Sequence, residues 1–301
     1  MHEKRIINLM IEPTNRCNLR CPTCFSHQDR RKKRDISLPE FKRIIDMNVP
    51  IIRNISLYNY GEPLLNRSIS QMVSYAKRKG VGFIKIDTNG IYLTKELIID
   101  LLKSGLDYLS ISLDGATDEA YKQFRIKGEF TEVISNIKAL INLRDSIKNN
   151  LKVEIQFIIM RHNEHQVGAI EKLARDLKVD VLRLKKLLVK NKKWNYLLPR
   201  DKEFNRYAGA KKYNSCSKPL EELVINCDGS IIPCCYIVGE NIGKFKLGNI
   251  FKQTLKEIMA SDRYTDFITK ATTGKSILFC CTNCNEGNIS LDYKVIRLND
   301  R

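Results

Sequence analysis

The sequence predicts an α/β fold built around a parallel sheet, and three observations carry that expectation. Six short β-type runs alternate with helical segments from Arg5 to Leu184, the order in which crossover helices join parallel strands. The chain has 301 residues, 43% of them hydrophobic, enough for one large α/β domain or a large domain with a small one. The loops with the most informative residues fall where a strand has ended and a helix has yet to begin, the ligand edge of such sheets. Alternation by itself does not separate an open sheet from a barrel.

Arg5 to Ile11 forms the first strand, and a cysteine-rich loop follows it. Ser37 caps a helix from Leu38 to about Met47, with Glu40 at the capping-box position. Ile51 to Tyr58 is the second strand, closed by the turn Tyr60-Gly61-Glu62-Pro63, and Arg67 to Lys79 is a helix stopped by Gly80. Gly82 to Asp87 is a strand ending at Thr88-Asn89-Gly90; Thr94 then caps a helix to Ser104. Asp107 to Leu113 is a strand ending at Asp114-Gly115, and helices follow at Asp118–Phe124 and Thr131–Arg144. Lys152 to Ile159 is a strand, His165 to Lys178 a helix and Val179 to Leu184 the sixth strand. Period-two geometry puts Glu154 and Gln156 on one face of the fifth strand, with Val153, Ile155, Phe157 and Ile159 on the other. Arg183 follows the same logic in the sixth, so a polar face points into the lumen, to which Glu12 and Tyr58 are further candidates. Residues 185–215 lose this periodicity and read as a linker with some helix, followed by a small domain at 216–301 that holds seven of the ten cysteines.

No window reaches the length of a membrane span, and the N-terminus lacks the apolar core of a signal peptide, so a cytoplasmic location is expected. Ten cysteines there point to metal rather than to disulfides. The formal charge of +18 gathers at Arg30–Arg34 and at Lys185, Lys186, Lys190, Lys192 and Lys193. We read most of it as a solvated Lys-rich surface; a phosphate, a nucleotide or an acidic partner is the sharper alternative. No aromatic-interleaved basic motif points to nucleic acid.

Cys17, Cys21 and Cys24 lie in Cys17-Asn18-Leu19-Arg20-Cys21-Pro22-Thr23-Cys24, spaced by three and two residues. Three thiolates leave one iron of a 4Fe–4S cluster open to an outside ligand. Zinc usually asks for four ligands in two pairs, and His27 alone stands near as a fourth. The motif resembles that of the radical S-adenosylmethionine (radical SAM) superfamily. The resemblance implies a partial barrel of six β/α units, SAM chelated to the open iron, and cleavage of SAM to a radical that abstracts hydrogen from substrate. It implies that Gly61-Glu62-Pro63 binds the SAM amino group, although Tyr60 stands where the family has Gly. It further implies that Asn89 and Ser112 lie near the methionyl and ribose groups, and that Arg125 pairs with the SAM carboxylate.

From Cys216 the pattern C-x12-G-x4-C reaches Cys234 through Gly229, and Cys281-Thr282-Asn283-Cys284 lies downstream. Ile225 to Cys235 reads as a β-hairpin turning at Asp228-Gly229, with a helix at Leu255–Met259 beyond. This resembles the SPASM extension in its shortened twitch form. The resemblance implies that Cys216, Cys234, Cys281 and Cys284 close one auxiliary 4Fe–4S cluster; a four-cysteine zinc site is the alternative. The neighbours Cys234/Cys235 and Cys280/Cys281 leave the ligand choice open within each pair, and Cys227 is spare.

The expected function is a radical SAM oxidoreductase with two 4Fe–4S clusters. It would oxidise an alcohol carbon of a sugar, aminocyclitol or similar small polar substrate, phosphorylated or nucleotide-linked if the basic loop after Cys24 binds it. An external one-electron reductant of flavodoxin or ferredoxin type would serve it. The alternatives are a redox-neutral epimerase with Cys235 or Cys280 as hydrogen donor, a peptide-modifying enzyme, and a two-zinc protein whose basic surface docks RNA.

Overall fold

Six strands and six helices alternate through the first two thirds of the chain, as seen in a computed structural model that describes residues 7–26, 29–209, 214–274, 277–281, 284 and 292–299. In chain order they are β1 (Ile7–Ile11), α1 (Leu38–Asn48), β2 (Ile52–Leu57), α2 (Ile69–Arg78), β3 (Phe83–Thr88), α3 (Lys95–Lys103), β4 (Tyr108–Ser112), α4 (Asp118–Phe124), α5 (Phe130–Ser146), β5 (Lys152–Ile159), α6 (Val167–Asp176) and β6 (Val181–Lys186). Helix α1 starts with the full capping box expected from Ser37 and Glu40. Thr94 and Thr117 cap α3 and α4 by accepting backbone N–H groups from Leu97 and Ala120. Short 3-10 turns at Pro63–Leu65 and Glu164–Gln166 lie in the loops between these elements, and a longer one at Lys192–Leu197 follows β6.

The C-terminal third adds α7 (Lys218–Glu221), β7 (Glu222–Ile225), β8 (Ser230–Ile232), α8 (Asn241–Phe245), β9 (Gly248–Asn249), α9 (Leu255–Met259), α10 (Asp262–Gly274) and β10 (Asp292–Arg297). The hairpin expected around Asp228-Gly229 is β7–β8, antiparallel, with Gly229 at φ +78° in its turn. The sequence reading missed that this hairpin begins earlier: β7 pairs in parallel with β1, placing Leu223 beside Leu9 and Ile225 beside Ile11. It also missed β10, which runs antiparallel to β6.

The chain divides into two compact units, each discontinuous in sequence. One is formed by the described residues within 1–16, 28–84 and 211–290, the other by those within 17–27, 85–210 and 291–301. In the first, β1 lies between β2 and β7, both parallel to it, and β8 and β9 continue antiparallel. In the second, β3 to β6 pair in parallel in sequence order and β10 closes the run. The fold class is the expected one: α/β, with parallel strands in an open arrangement of partial TIM-barrel type. The apolar faces of β1, β4 and β5 are fully buried, Leu9, Ile11, Leu109, Ile111, Ile155 and Phe157 among them. No helix among the described residues is long and apolar enough to cross a membrane.

Candidate functional site

The cysteine loop sits in the second unit. Cys24 N–H donates to Cys21 O (3.1 Å) to make its turn, and Arg20 N–H donates to Ile126 O (3.0 Å), tying it to the segment after α4. Leu19 and Cys21 are buried among Phe124, Met160, Leu187 and Leu197, and Cys17, Cys24 and Trp194 pack against that cluster. The sulfurs therefore have an apolar wall behind them and polar donors beside them. Ser26 N–H approaches Cys24 Sγ (3.5 Å), and an Arg125 guanidinium nitrogen donates to Cys21 Sγ (3.8 Å). Burial pushes the Cys21 thiol up to about 12, with the Arg125 cation opposing. Among the described residues no three Cys, His, Asp or Glu side chains converge on a single ion. The thiolates of a 4Fe–4S cluster each bind a different iron, so three sulfurs on one short loop, Cys21 buried and Cys17 and Cys24 half-buried, with N–H donors at Cys21 and Cys24, fit that cluster. His27 lies outside the described residues.

Arg125 is engaged more fully than its family role requires. Its Nε (2.7 Å) and a terminal nitrogen (2.5 Å) fork onto Asp114, which has no exposed side-chain area. The other Asp114 oxygen accepts the Ile158 N–H (2.7 Å). Asp114 is a site residue that the sequence reading quoted within Ser112-Leu113-Asp114-Gly115 without giving it a role. A buried carboxylate needs a cation, and that is the signal that points from Asp114 to Arg125. Asn89 is buried and donates to the Asn18 side chain (2.8 Å), beside Cys17. Ser112 ends β4, half-buried, in register with Gln156.

The lumen residues of this unit form one polar face. Lys85 and Asp87 on β3, Tyr108, Ser110 and Ser112 on β4, Glu154 and Gln156 on β5, and Arg183 and Lys185 on β6 are aligned by the strand registers. Glu154 is its hub: Tyr108 OH, Ser110 Oγ and Arg183 Nε each donate to it at 2.7 Å. Tyr108 is driven up by burial and by the Glu154 charge, so it stays a phenol and a donor. Gln156 accepts from Lys185 Nζ (3.4 Å) and is half-buried. Asp87 pairs with Lys85 (2.9 Å), and burial raises its pKa.

In the first unit, the loop after β2 is stapled to the end of β1. Glu62 N–H donates to Arg16 O (2.8 Å), and a Cβ on Gly61 would stand 1.8 Å from Thr14 O. Only glycine permits that approach. Glu62 is 2% exposed. Tyr60, where the family has Gly, donates its hydroxyl to Cys235 O (2.9 Å). Glu12 is fully buried, ion-paired with Arg31 (2.9 Å), and accepts the Cys227 N–H (3.0 Å). Cys227 is buried beneath that carboxylate, and burial raises its thiol pKa. Tyr58, just past β2, is half-buried.

These contacts change the reading of the basic loop. Arg31 clamps Glu12 and Asp29, Lys33 donates to Asn15 O (2.9 Å), and Arg34 pairs with Glu40 (2.6 Å). Three of its five cations are thus tied closely to the protein itself, and a fourth, Arg30, makes a longer, exposed pair with Glu240 (3.6 Å).

The second cysteine group is half-buried at Cys216, Cys234, Cys235, Cys280, Cys281 and Cys284. Cys216 N–H donates to Ala271 O on α10 (2.8 Å), and Cys284 N–H to Cys281 O (3.0 Å). Cys234 Sγ receives the Tyr236 N–H (3.5 Å), the same i+2 donor that Cys24 has. Cys280 and Cys281 sulfurs stand 3.6 Å apart. Burial works against the Lys218 ammonium, yet Cys235 and Cys234 beside it raise its pKa. A thiol-rich set with a neighbouring cation suits an anionic iron–sulfur cluster.

The family model of the radical SAM superfamily matches residues 11–177. The chain belongs to the radical SAM superfamily. A second model, SPASM, an iron–sulfur cluster-binding domain, matches residues 216–285. The chain is therefore a radical SAM enzyme with a C-terminal SPASM domain, and its cofactors are 4Fe–4S clusters and SAM. It is 30% identical to the Fe-coproporphyrin III synthase of Methanosarcina barkeri over 55% of this chain and 40% of that one. It is 26% identical to the tungsten-containing aldehyde ferredoxin oxidoreductase cofactor-modifying protein of Pyrococcus furiosus, over 92% of this chain and 86% of that one. Among solved structures, BtrN in complex with AdoMet and 2-DOIA shares the fold, with TM-score 0.61, 18% identity, and coverage of 97% of this chain and 98% of that one.

Proposed function

We propose that this enzyme is an oxidoreductase acting on an alcohol carbon of a sugar, aminocyclitol or related small polar substrate. The observation that carries the reading is the charged and hydroxylated face of β3 to β6, on which cations, carboxylates, an amide and hydroxyls alternate. A hydrophilic substrate finds both donors and acceptors there, and an apolar one would leave them unpaired. The fold neighbour solved with AdoMet and 2-DOIA, matched along almost its whole length, supports a small ligand beside SAM.

In this reading Cys17, Cys21 and Cys24 hold the SAM-binding cluster, and Cys216, Cys234, Cys281 and Cys284 the auxiliary one. When bound, the first cluster with SAM supplies hydrogen-atom abstraction, and the auxiliary cluster supplies a one-electron acceptor. By the family resemblance Gly61 and Glu62 would serve the SAM ammonium, and Asn89 and Ser112 its other groups. Arg125, fixed by Asp114, keeps a positive charge at Cys21. Gln156, Arg183 and Lys185 offer contacts to substrate, while Glu154 holds Tyr108 and Arg183 in place.

Anaerobically reconstituted enzyme, given SAM and a panel of aminocyclitols, sugars and their phosphates, should form 5′-deoxyadenosine with an equivalent of ketone. No stimulation by any hydroxylated small molecule, together with stimulation by a peptide or a cofactor precursor, would replace this reading with a second one. That second reading is favoured by the cofactor-modifying Pyrococcus relative, of which the chain covers most. Epimer formation without ketone would make the enzyme redox-neutral. In that case Cys235→Ala or Cys280→Ala should stop turnover while hydrogen abstraction persists.

A further inference from the structure

The apolar cluster around the cysteine loop, completed by Met160, gathers residues from three further stretches: 17–26, 124–128 and 185–198, represented there by Leu19, Cys21, Phe124, Leu187 and Leu197. None of the three contains an Asp or Glu. Arg20, Lys127, Lys190, Lys192 and Lys193 from these segments are exposed. Among the described residues no carboxylate pairs with Arg20, Lys127, Lys192 or Lys193. At the other basic loop, by contrast, Arg31, Lys33 and Arg34 are each held by the protein itself.

Aromatic and aliphatic groups interleave with the charges. Tyr196 is 56% and Ile126 39% exposed. Lys193 lies over Trp194 (4.8 Å) and Lys190 over Phe25 (5.1 Å), the residue after Cys24. The exposed Tyr196 and Ile126 add apolar contact area to a surface otherwise dominated by charge.

We propose that this surface docks an acidic one-electron carrier protein. The inference rests on the reading of Cys17, Cys21 and Cys24 as cluster ligands. A radical SAM enzyme must receive an electron from outside, and electron transfer between proteins falls off steeply with distance. The donor must therefore come to this loop, where Arg20 lies between Cys21 and Cys17 and Phe25 abuts Cys24. A single-sign basic field there draws an anionic donor in and orients it, raising the association rate more than the final affinity. The carrier is oxidised by one electron and the cluster held by Cys17, Cys21 and Cys24 is reduced by one, with no bond made between the two proteins.

The test uses the full reconstituted enzyme and stopped-flow oxidation of an acidic flavodoxin hydroquinone, with dithionite as a small-molecule reductant. The charge-reversed variant Lys127→Glu/Lys192→Glu/Lys193→Glu is compared with Lys192→Arg/Lys193→Arg. Expected at low salt is a fall of about tenfold or more in the second-order rate with flavodoxin, a flatter salt dependence, and rescue in the arginine variant. Iron content and reduction by dithionite should not change. An unchanged flavodoxin rate with unchanged salt dependence overturns the proposal. So does a single-stranded RNA probe whose binding is lost in the variant while flavodoxin reduction is kept, since the surface then serves nucleic acid. A Cys17→Ala/Cys21→Ala/Cys24→Ala variant that keeps all the iron of the parent enzyme would instead overturn the cluster assignment, independently of the docking rates.

Discussion

Replacing Glu154 by Gln separates a residue that builds the lumen from one that touches substrate. Glu154 has no exposed side-chain area and accepts three hydrogen bonds of 2.7 Å from Tyr108, Ser110 and Arg183. Breaking a buried ion pair by removing one partner costs about 3–5 kcal/mol. Arg183 is 26% exposed and regains water, which reduces its share. Gln also keeps an oxygen for Ser110. The net cost is then about 2–3 kcal/mol, the range of losing one or two hydrogen bonds to a charged group. For a protein of this size that lowers the melting temperature by about 3–5 °C. Differential scanning fluorimetry of the reconstituted enzyme reads it directly, with Gln156→Ala as the control on the same half-buried face. Glu154→Gln should lower stability with little change in the substrate KM per folded enzyme, and Gln156→Ala should do the reverse. A Glu154→Gln enzyme of unchanged melting temperature and raised KM would refute the assignment of Glu154 as an internal hub.

Iron analysis of Cys17→Ala/Cys21→Ala/Cys24→Ala should fall from about eight irons to about four per chain; loss of all iron would mean that the C-terminal cysteines hold no cluster. Gly61→Ala drives a Cβ into Thr14 O at 1.8 Å, so SAM should bind about tenfold or more weakly by equilibrium dialysis, a loss of about 1.4 kcal/mol. Retained affinity would show that this loop does not hold SAM. Arg125→Gln strands the buried Asp114 carboxylate and should cost about 3–5 kcal/mol in unfolding, partly restored in Arg125→Gln/Asp114→Asn. A fully stable Arg125→Gln enzyme that merely binds SAM poorly would place Arg125 on the ligand instead.

The sequence alone determined what local rules and chemistry can write. The alternation of strand and helix, the Ser37–Glu40 and Thr94 caps, the Asp228-Gly229 hairpin and the two cysteine groups each declare themselves within a few residues. The period of β5 likewise put Glu154 and Gln156 on one face before any neighbour was known. What only the tertiary structure decided are pairings between distant segments. The parallel contact of β7 with β1 joins residues more than two hundred apart, and β10 finds β6 across a similar gulf in pattern if not in length. No local periodicity encodes such a partner, because the backbone hydrogen bonds of a strand are the same whichever strand receives them. The same limit governs charge: in the sequence Arg31, Lys33 and Arg34 read as solvated cations with a phosphate site as the alternative, and the fold supplies Glu12, Asp29, Asn15 and Glu40 to hold them. Lys127, Lys192 and Lys193 read as ordinary solvated lysines until the fold gathers their segments around the cysteine loop with no carboxylate among them. A residue's charge is fixed by its type, but whether that charge is neutralised depends on what folding brings within a few ångströms.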